Sequence, residues 1–223
     1  MHRLDLSAIL SRSALIGAAL LTPACAMESA APPDDHIEEE IGTAEQAAGT
    51  GQCVAYRRGV SGAVADATIW EDAYTWNTGS SPLIYTGDSS AGFRQALLHF
   101  DISNIPAGMH VDSAVLYLSE LYKDDGTDIF VHRVTAPWSE STVTWQSFNG
   151  AFDPAPSASF YAWGGGVAQV HIEGLVQQWI DGAAPNHGLL LQEPTYMPSS
   201  FRSSENSTVD ARPRLKVCYS PNP

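Results

Sequence analysis

The chain has 223 residues, enough for one domain of ordinary size plus an N-terminal leader. Lys and Arg number 11 against 25 Asp and Glu, which gives a formal net charge of −14 at pH 7. Because a field of this sign repels phosphate backbones, we expect no nucleic-acid partner.

Residues 1–26 are typical of an export signal. Arg3 and Arg12 supply positive charge, residues 13–21 form a short apolar core, and small residues follow. An apolar core of this length is too short to span a bilayer as a mature helix. We therefore predict a cleaved signal peptide and a secreted or surface location.

The cleavage point leaves two alternatives open. Ala24 and Ala26 form an A-x-A pattern that predicts cleavage after residue 26. Cleavage before Cys25 would instead leave that cysteine lipidated, although Thr22 and Pro23 depart from the bacterial lipoprotein pattern. The membrane is therefore a partner only through a candidate lipid anchor at Cys25.

Residues 27–51 contain seven acidic side chains and no Lys or Arg, with many Ala, Pro and Gly. Such a segment buries too little apolar surface to fold, so we predict a disordered acidic linker that leads to a domain at 52–223.

That domain has the pattern of an all-β fold, because short alternating runs are separated by Gly, Pro, Asn, Asp and Ser clusters. The clearest run is 93–101, whose two faces both carry apolar residues, which predicts a central strand. A loop of about eight residues, broken by Pro106 and Gly108, leads to a second run at 111–121, and we expect these two strands to seed an antiparallel sheet. The other predicted strands are 52–56, 66–70, 83–87, 128–134, 142–145, 167–172, 188–192, 200–204 and 214–219.

One segment has helical rather than alternating periodicity. Residues 173–181 place Leu175, Val176, Trp179 and Ile180 on one helical face, and Gly182 can end the helix. We predict a single short helix that caps the β-structure.

Motifs for catalysis are missing from the sequence. It contains no G-x-S-x-G elbow, no H-E-x-x-H zinc pair and no G-x-x-x-x-G-K phosphate loop. We therefore expect no enzyme, although two of the many carboxylates could meet at glycosidase spacing.

Five ordered segments carry a resemblance to a known family. They are RQALLHFDISNIPAGMHVDSAVLYL, APWSESTVTW, LVQQWIDGAAPNHGLLL, SFRSSE and RPRLKVCY, and the match as a whole covers roughly residues 66–219. The chain resembles the DNRLRE-domain family, also described as carbohydrate-binding module family 96. The resemblance implies a non-catalytic jelly-roll β-sandwich of secreted proteins, often attached to polysaccharide-degrading enzymes.

Besides Cys25, the chain has Cys53 in the first predicted strand and Cys218 in the last. In an oxidising compartment we predict that these two thiols form a disulfide, with two separately buried thiols as the alternative.

The six tryptophans divide into two groups. Trp138 and Trp145 match the resembled family's W-x-E-x-x-V-x-W pattern, and with Trp179 they are predicted to be core residues. The other group lies in loops or at strand ends, where an aromatic ring could stack on the C–H face of a sugar or pack under its own loop. Its predicted carbohydrate-binding members, with a nearby tyrosine, are Trp70, Tyr74, Trp76 and Trp163.

Arginines extend the predicted site. Arg57 and Arg58 could supply forked donors to the carboxylates of a uronate polymer. The alternatives are an internal ion pair, for which Arg94 and Glu205 are candidates, and a neutral glycan.

Residues 124–128, which include three aspartates, form an acidic turn. Calcium prefers several carboxylate and carbonyl oxygens, so a structural calcium is the one candidate cofactor, here or elsewhere. An ordinary solvated turn is the alternative.

Together these features predict a secreted or surface-anchored monomer that binds extracellular polysaccharide without changing it. The alternative is a structural or adhesion module whose partner is a protein.

Overall fold

The structure is a computed structural model that describes residues 51–90, 92–121, 125–196 and 198–222. The predicted signal peptide, the lipidation site at Cys25 and all of the predicted linker except Gly51 lie outside these ranges.

The described domain consists mainly of β-strands. The strands are β1 (Gln52–Tyr56), β2 (Val64–Trp70), β3 (Leu83–Ser89), β4 (Gly92–Phe100), β5 (Met109–Glu120), β6 (Thr127–Arg133), β7 (Ala158–Ala162), β8 (Gly166–His171), β9 (Leu189–Gln192), β10 (Ser199–Arg202) and β11 (Arg214–Pro221). The helices are α1 (Trp145–Phe148), α2 (Glu173–Ile180) and a 3-10 turn at Val209–Ala211.

The strands form two antiparallel layers. The first sheet has the order β1, β11, β5, β8, with β10 beside the end of β5. The second sheet has the order β2, β4, β9, β6, β7. Strand β3 joins the layers, because its first half pairs with β10 and its second half with β4. The all-β sandwich expected from the sequence is confirmed.

The main core fills the space between the two sheets. Leu98 and Leu191 of the second sheet pack in one cluster with Leu116 and Val217 of the first. Helix α2 closes this cluster with its apolar face, as its periodicity predicts, and Gly182 follows it with φ 68°. Ring and branched side chains that interdigitate in this way supply most of the stability of a sandwich.

A second core lies on the other face of the second sheet. Ile69 and Leu97 pack there against Val143 and Phe148, which belong to the segment that covers this face. Strand β4 is therefore buried on both faces and paired on both sides, and its prediction as a central strand is confirmed.

The pairing expected between the two long runs is wrong. Strand β4 pairs with β2, β3 and β9, whereas β5 pairs with β8, β10 and β11 in the other layer. The loop from 101 to 108, with Gly108 at φ 77°, carries the chain across the sandwich instead of making a hairpin. Both strands bury an apolar face against the same core from opposite sides, and alternation alone cannot distinguish this from pairing.

The predicted strand at 142–145 is also wrong. Thr144 begins α1 there, because its hydroxyl oxygen accepts a hydrogen bond from the Ser147 amide at 3.1 Å. Ser147 reciprocates to the Thr144 amide at 2.9 Å, which completes a capping box and outweighs the β-propensity of this Thr/Val stretch. One α-helix was expected, and the described chain has two. It also has a strand, β7, that was not predicted from the sequence.

The disulfide between Cys53 and Cys218 is confirmed. These residues are register partners on β1 and β11, so the covalent bond reinforces a pair that the hydrogen-bond ladder already aligns. Within the described ranges, no helix combines the length and the apolar character needed to cross a membrane.

Candidate functional site

Exposed aromatic side chains gather at one end of the second sheet. The second sheet is antiparallel, so one end of it is formed by the last residues of β2, β9 and β7 and the first residues of β4 and β6. Six of the nine large hydrophobic side chains that are exposed in the described part of the chain lie at or just beyond this end. With the half-buried Trp70 they form what we call the aromatic rim: Trp70, Tyr74, Trp76, Phe93, Tyr161, Trp163 and Tyr196.

The first patch of the rim is built on Trp70. The Trp76 ring lies 6.1 Å from the Trp70 ring, and the Tyr85 ring lies 6.4 Å from it at a right angle. Arg94 is the register partner of Trp70 on β4, and its guanidinium stacks 4.4 Å above the Trp70 ring. These contacts fix Trp70 in place, while Trp76 is 64% exposed and available to a ligand.

Backbone hydrogen bonds hold the loop that carries this patch. The Trp76 amide donates to the Ala73 carbonyl, and the Gln146 amide donates to the Tyr74 carbonyl. Thr78 then bonds with both backbone groups of Thr68, so the chain returns along the edge of β2. The exposed rings of Tyr74 and Trp76 therefore stand on a loop that is tied at both ends.

The second patch follows β7. Trp163 is 74% exposed, and its ring lies 4.7 Å from that of Tyr161. Tyr161 packs over Gly126, where an added Cβ would lie only 2.3 Å from the ring. The Gly164 amide donates to a Glu120 carboxylate oxygen at 2.9 Å, which fixes the chain just after Trp163.

Tyr196 lies between these two patches, and the sequence analysis missed it. Its loop sits between β3 and β6, because Thr195 accepts from the Asp88 amide and contacts the Thr127 hydroxyl. Tyr196 is 64% exposed there. Pro194 and Pro198, which flank this tyrosine, are the signal that could have identified it as a loop aromatic.

Strand spacing gives the breadth of the rim. Neighbouring strands are about 4.8 Å apart, so the four steps from β2 to β7 separate the two patches by roughly 19 Å. The rim is therefore an elongated surface with aromatic groups at both ends and Tyr196 between them.

The predicted carbohydrate-binding residues divide between two places. Trp70, Tyr74 and Trp76 come together, and Trp163 lies at the other end of the same rim. The structure does not bring Arg57 and Arg58 to it. Arg57 pairs with Asp210 at 3.0 Å, while Arg58 donates to the carbonyl of Val64, at the opposite end of β2 from Trp70.

Arg58 belongs to a polar network along the edge of β2. Its guanidinium lies 2.7 Å from a Glu140 carboxylate oxygen and 2.5 Å from one of Glu205. The buried Asp66 accepts from the Ser204 amide at 2.6 Å and donates its own amide to Glu140. Glu205 therefore forms an internal ion pair, but with Arg58 and not with Arg94, the candidate named from the sequence. Arg94 stacks on Trp70 instead.

This network also contains the described acidic cluster with metal-ligand spacing, since single oxygens of Asp66, Glu140 and Glu205 lie within 4.8 Å of one another. Burial, aided by the charge of Glu205, raises the pKa of Asp66 to about 8, which keeps this carboxyl protonated near neutral pH. Arg58 already compensates the other two carboxylates. Its guanidinium supplies positive charge at the place where a calcium ion would bring it, so we assign no metal to the cluster.

Of the predicted acidic turn, Asp124 lies outside the described residues. Asp125 is exposed, and Asp128 stands on β6 opposite Tyr161. Calcium at this turn stays a prediction.

The three tryptophans predicted to be core residues pack as expected, to different degrees. Trp179 is buried in the main core, whereas Trp138 and Trp145 are half-buried against the second core. The Trp138 indole N–H donates to the His187 carbonyl at 2.9 Å, which ties the covering segment to the loop before β9.

A comparison of the sequence with curated proteins finds none that matches it. The family model described as carbohydrate-binding module family 96 matches residues 60–219, which include both patches of the rim and the three acids that surround Arg58. The chain therefore belongs to carbohydrate-binding module family 96.

Proposed function

We propose that this protein is an exported, non-catalytic module that binds extracellular polysaccharide along the aromatic rim. The observation that carries the proposal is the concentration of exposed rings at one end of one sheet. Exposed apolar side chains scattered singly are ordinary, but aromatic side chains concentrated at one end of a sheet indicate a binding surface. Membership of a carbohydrate-binding family supports sugar as its ligand.

The chemistry of the rim suits sugar rings. A pyranose presents C–H groups on its face, and these pack on the flat rings of Trp76 and Trp163. Trp70 supports Trp76, and Tyr161 supports Trp163, so a ligand would find these platforms largely positioned before it binds. Preorganised platforms lower the entropic cost of binding.

The breadth of the rim favours a polymer over a single sugar. A ligand that touches both patches must extend over roughly 19 Å, which takes several linked rings. Contacts at two separated patches on one chain also raise the effective concentration of the second contact.

The Cys53–Cys218 disulfide supports export, because such bonds form and persist in oxidising compartments. We propose that the N-terminal segment directs secretion, and that the protein is either released or anchored through Cys25.

The arrangement of the acidic cluster supports a binding role without catalysis. Its carboxylates are tied to Arg58 or protonated, and the cluster lies on the edge of β2 instead of on the rim. Incubating the purified protein with polysaccharides should therefore release no reducing ends.

The test is affinity electrophoresis of the purified chain through gels that contain alginate, pectin, xylan, mannan or β-glucan. We expect at least one polymer to retard the protein, and a Trp76→Ala, Trp163→Ala double variant to lose that retardation while it stays folded. Two lost stacking contacts of about 1 kcal/mol each should weaken binding roughly 30-fold.

A matched control removes exposed apolar side chains outside the rim. The Val60→Ala, Val209→Ala double variant should migrate like the unmodified protein, since both side chains are exposed elsewhere. Retardation that survives in the tryptophan variant would reject the rim as the site. If no polymer retards the unmodified protein while a defined protein partner binds it, the adhesion alternative would replace this proposal.

A further inference from the structure

Carboxylates stand beside the exposed aromatic rings of the rim. Asp88 is the register partner of Phe93 in the β3–β4 hairpin, and Asp128 is the register partner of Tyr161 across β6 and β7. Directly opposed residues on one face of a sheet have Cβ atoms about 5 Å apart. Each of these two rings therefore has an acidic side chain as its immediate neighbour.

The first patch repeats this arrangement within its loop. Glu71 and Asp72 directly precede Tyr74 and Trp76, and both acids are exposed. Glu71 is held at the start of β4, because its carboxylate accepts the Phe93 amide at 3.1 Å. Acidic groups thus accompany the rings at both ends of the rim.

Positive charge is scarce on the same surface. Among the Lys and Arg side chains of the described ranges, only Arg94 belongs to this end of the second sheet, and it lies against the Trp70 ring. The described charges along the rim are therefore mainly negative, and they repel a polymer of uronates and attract a cation. An aromatic face with a neighbouring carboxylate suits a protonated amine, because the ring quadrupole and the full charge act in the same direction.

We propose that the rim selects polysaccharides whose sugars carry free amino groups, such as polymers of glucosamine. The proposal rests on the function proposed above and names the ligand class of that site. The sugar faces stack on Trp76 and Trp163, while the protonated amines lie beside the carboxylates of Asp88 and Asp128. A uronate polymer of the same length is disfavoured by the same carboxylates.

The experiment compares three hexasaccharides by isothermal titration calorimetry with the full chain: one of glucosamine, one of N-acetylglucosamine and one of a uronate. The buffer pH lies below that at which the amines lose their protons. N-acetylation removes the charge but keeps the ring, so it isolates the electrostatic contribution. We expect the glucosamine oligomer to bind roughly fivefold to tenfold more tightly than its acetylated form, and this preference to shrink as salt is added.

An Asp88→Asn, Asp128→Asn double variant should lose most of that preference while it keeps its affinity for the acetylated oligomer. Asp112, an exposed acid at the start of β5 and away from the rim, supplies the control Asp112→Asn, which should behave like the unmodified protein.

Equal affinity for the two glucosamine forms, or tighter binding of the uronate, would overturn the proposal and leave the rim as a site for other glycans. Equally tight binding of an oligolysine of the same charge would also overturn it, in favour of a basic peptide. If glucosamine binding persists in the Trp76→Ala, Trp163→Ala variant, the rim itself is the wrong site and the function proposed above fails with it.

Discussion

At the scale of single residues, the polar network on the edge of β2 explains the acidic residues of two sequence motifs, whose contacts the sequence does not reveal. Glu140 comes from the W-x-E-x-x-V-x-W pattern and Glu205 from SFRSSE, and both reach Arg58. Their spacing in the sequence says nothing of this contact, because 65 residues separate the two acids. These motif positions stabilise the sandwich edge, whereas the rings of the rim face solvent.

Asp66 makes the stability of the domain depend on pH. Its pKa is raised from 3.8 to about 8 by burial and by the charge of Glu205, so the folded state keeps a proton that the unfolded chain loses near pH 4. Raising the pH from 4 to 8 therefore lowers the free energy of unfolding through this group. We expect an Asp66→Asn variant to lose that downward slope, measured by urea denaturation at a series of pH values.

The comparison with Asp66→Asn separates the pH dependence of stability due to Asp66 from that of groups whose contribution rises with pH. Burial lowers the pKa of His99, and hydrogen bonds from Ser103 lower that of Asp101, so both favour the folded state as the pH rises. They contribute equally to both proteins and cancel in the difference. Identical slopes for the variant and the unmodified protein would show that Asp66 ionises normally in the fold.

At the scale of elements, the segment after β2 is held by close packing against the stretch that precedes α1. Asn77 donates its side-chain amide to the carbonyls of Glu140 and Val143 at 2.7 and 2.8 Å. Gly79 follows, and an added Cβ there would lie 2.0 Å from the Glu140 carbonyl oxygen. Since that neighbour is backbone, the contact leaves room for glycine alone.

Two glycine substitutions have opposite expected effects on stability, and the first of them tests the packing of this segment. Gly79→Ala should destabilise the domain by about 2 kcal/mol or more, because the backbone must shift to admit a methyl group. Gly174→Ala lies in α2 with no atom near the new methyl group, and it should stabilise the domain by about 0.5 to 1 kcal/mol through helix propensity. Chemical denaturation of both variants measures the difference, and a tolerated Gly79→Ala would contradict the packing described.

At the scale of the whole molecule, the first and last strands are joined twice. Strands β1 and β11 share a full ladder, and the disulfide links Cys53 to Cys218 across 165 residues of sequence. Closing so long a loop restricts the unfolded chain far more than it alters the folded one. The same bond lies at one edge of the first sheet, between the first and last described strands, whereas the rim lies on the second sheet.

Removing this bond should lower the free energy of unfolding by about 4 to 5 kcal/mol on the loop-entropy model. A Cys53→Ala, Cys218→Ala double variant and the unmodified protein in reductant should lose the same stability by urea denaturation. Reductant should not affect the double variant further. Unchanged stability in either case would mean that the ladder alone holds the ends together.

Local sequence pattern and the chemistry of cysteine were enough to predict three features of this protein. Alternation identified both apolar faces of β4, the 3.6-residue period identified α2, and two cysteines in a domain predicted to be exported identified the disulfide. Each of these signals lies within one segment or depends on the reactivity of one residue type.

Which segments lie next to one another follows from the three-dimensional packing and not from local pattern. The backbone groups of a strand can form the same hydrogen bonds with any neighbouring strand. The alternating pattern therefore could not show that β4 and β5 belong to opposite sheets. A reciprocal Thr144–Ser147 cap likewise overrode the β-propensity of its segment. The rim itself depends on strand order, because antiparallel pairing brings Trp76, Tyr196 and Trp163 to one edge from distant parts of the chain.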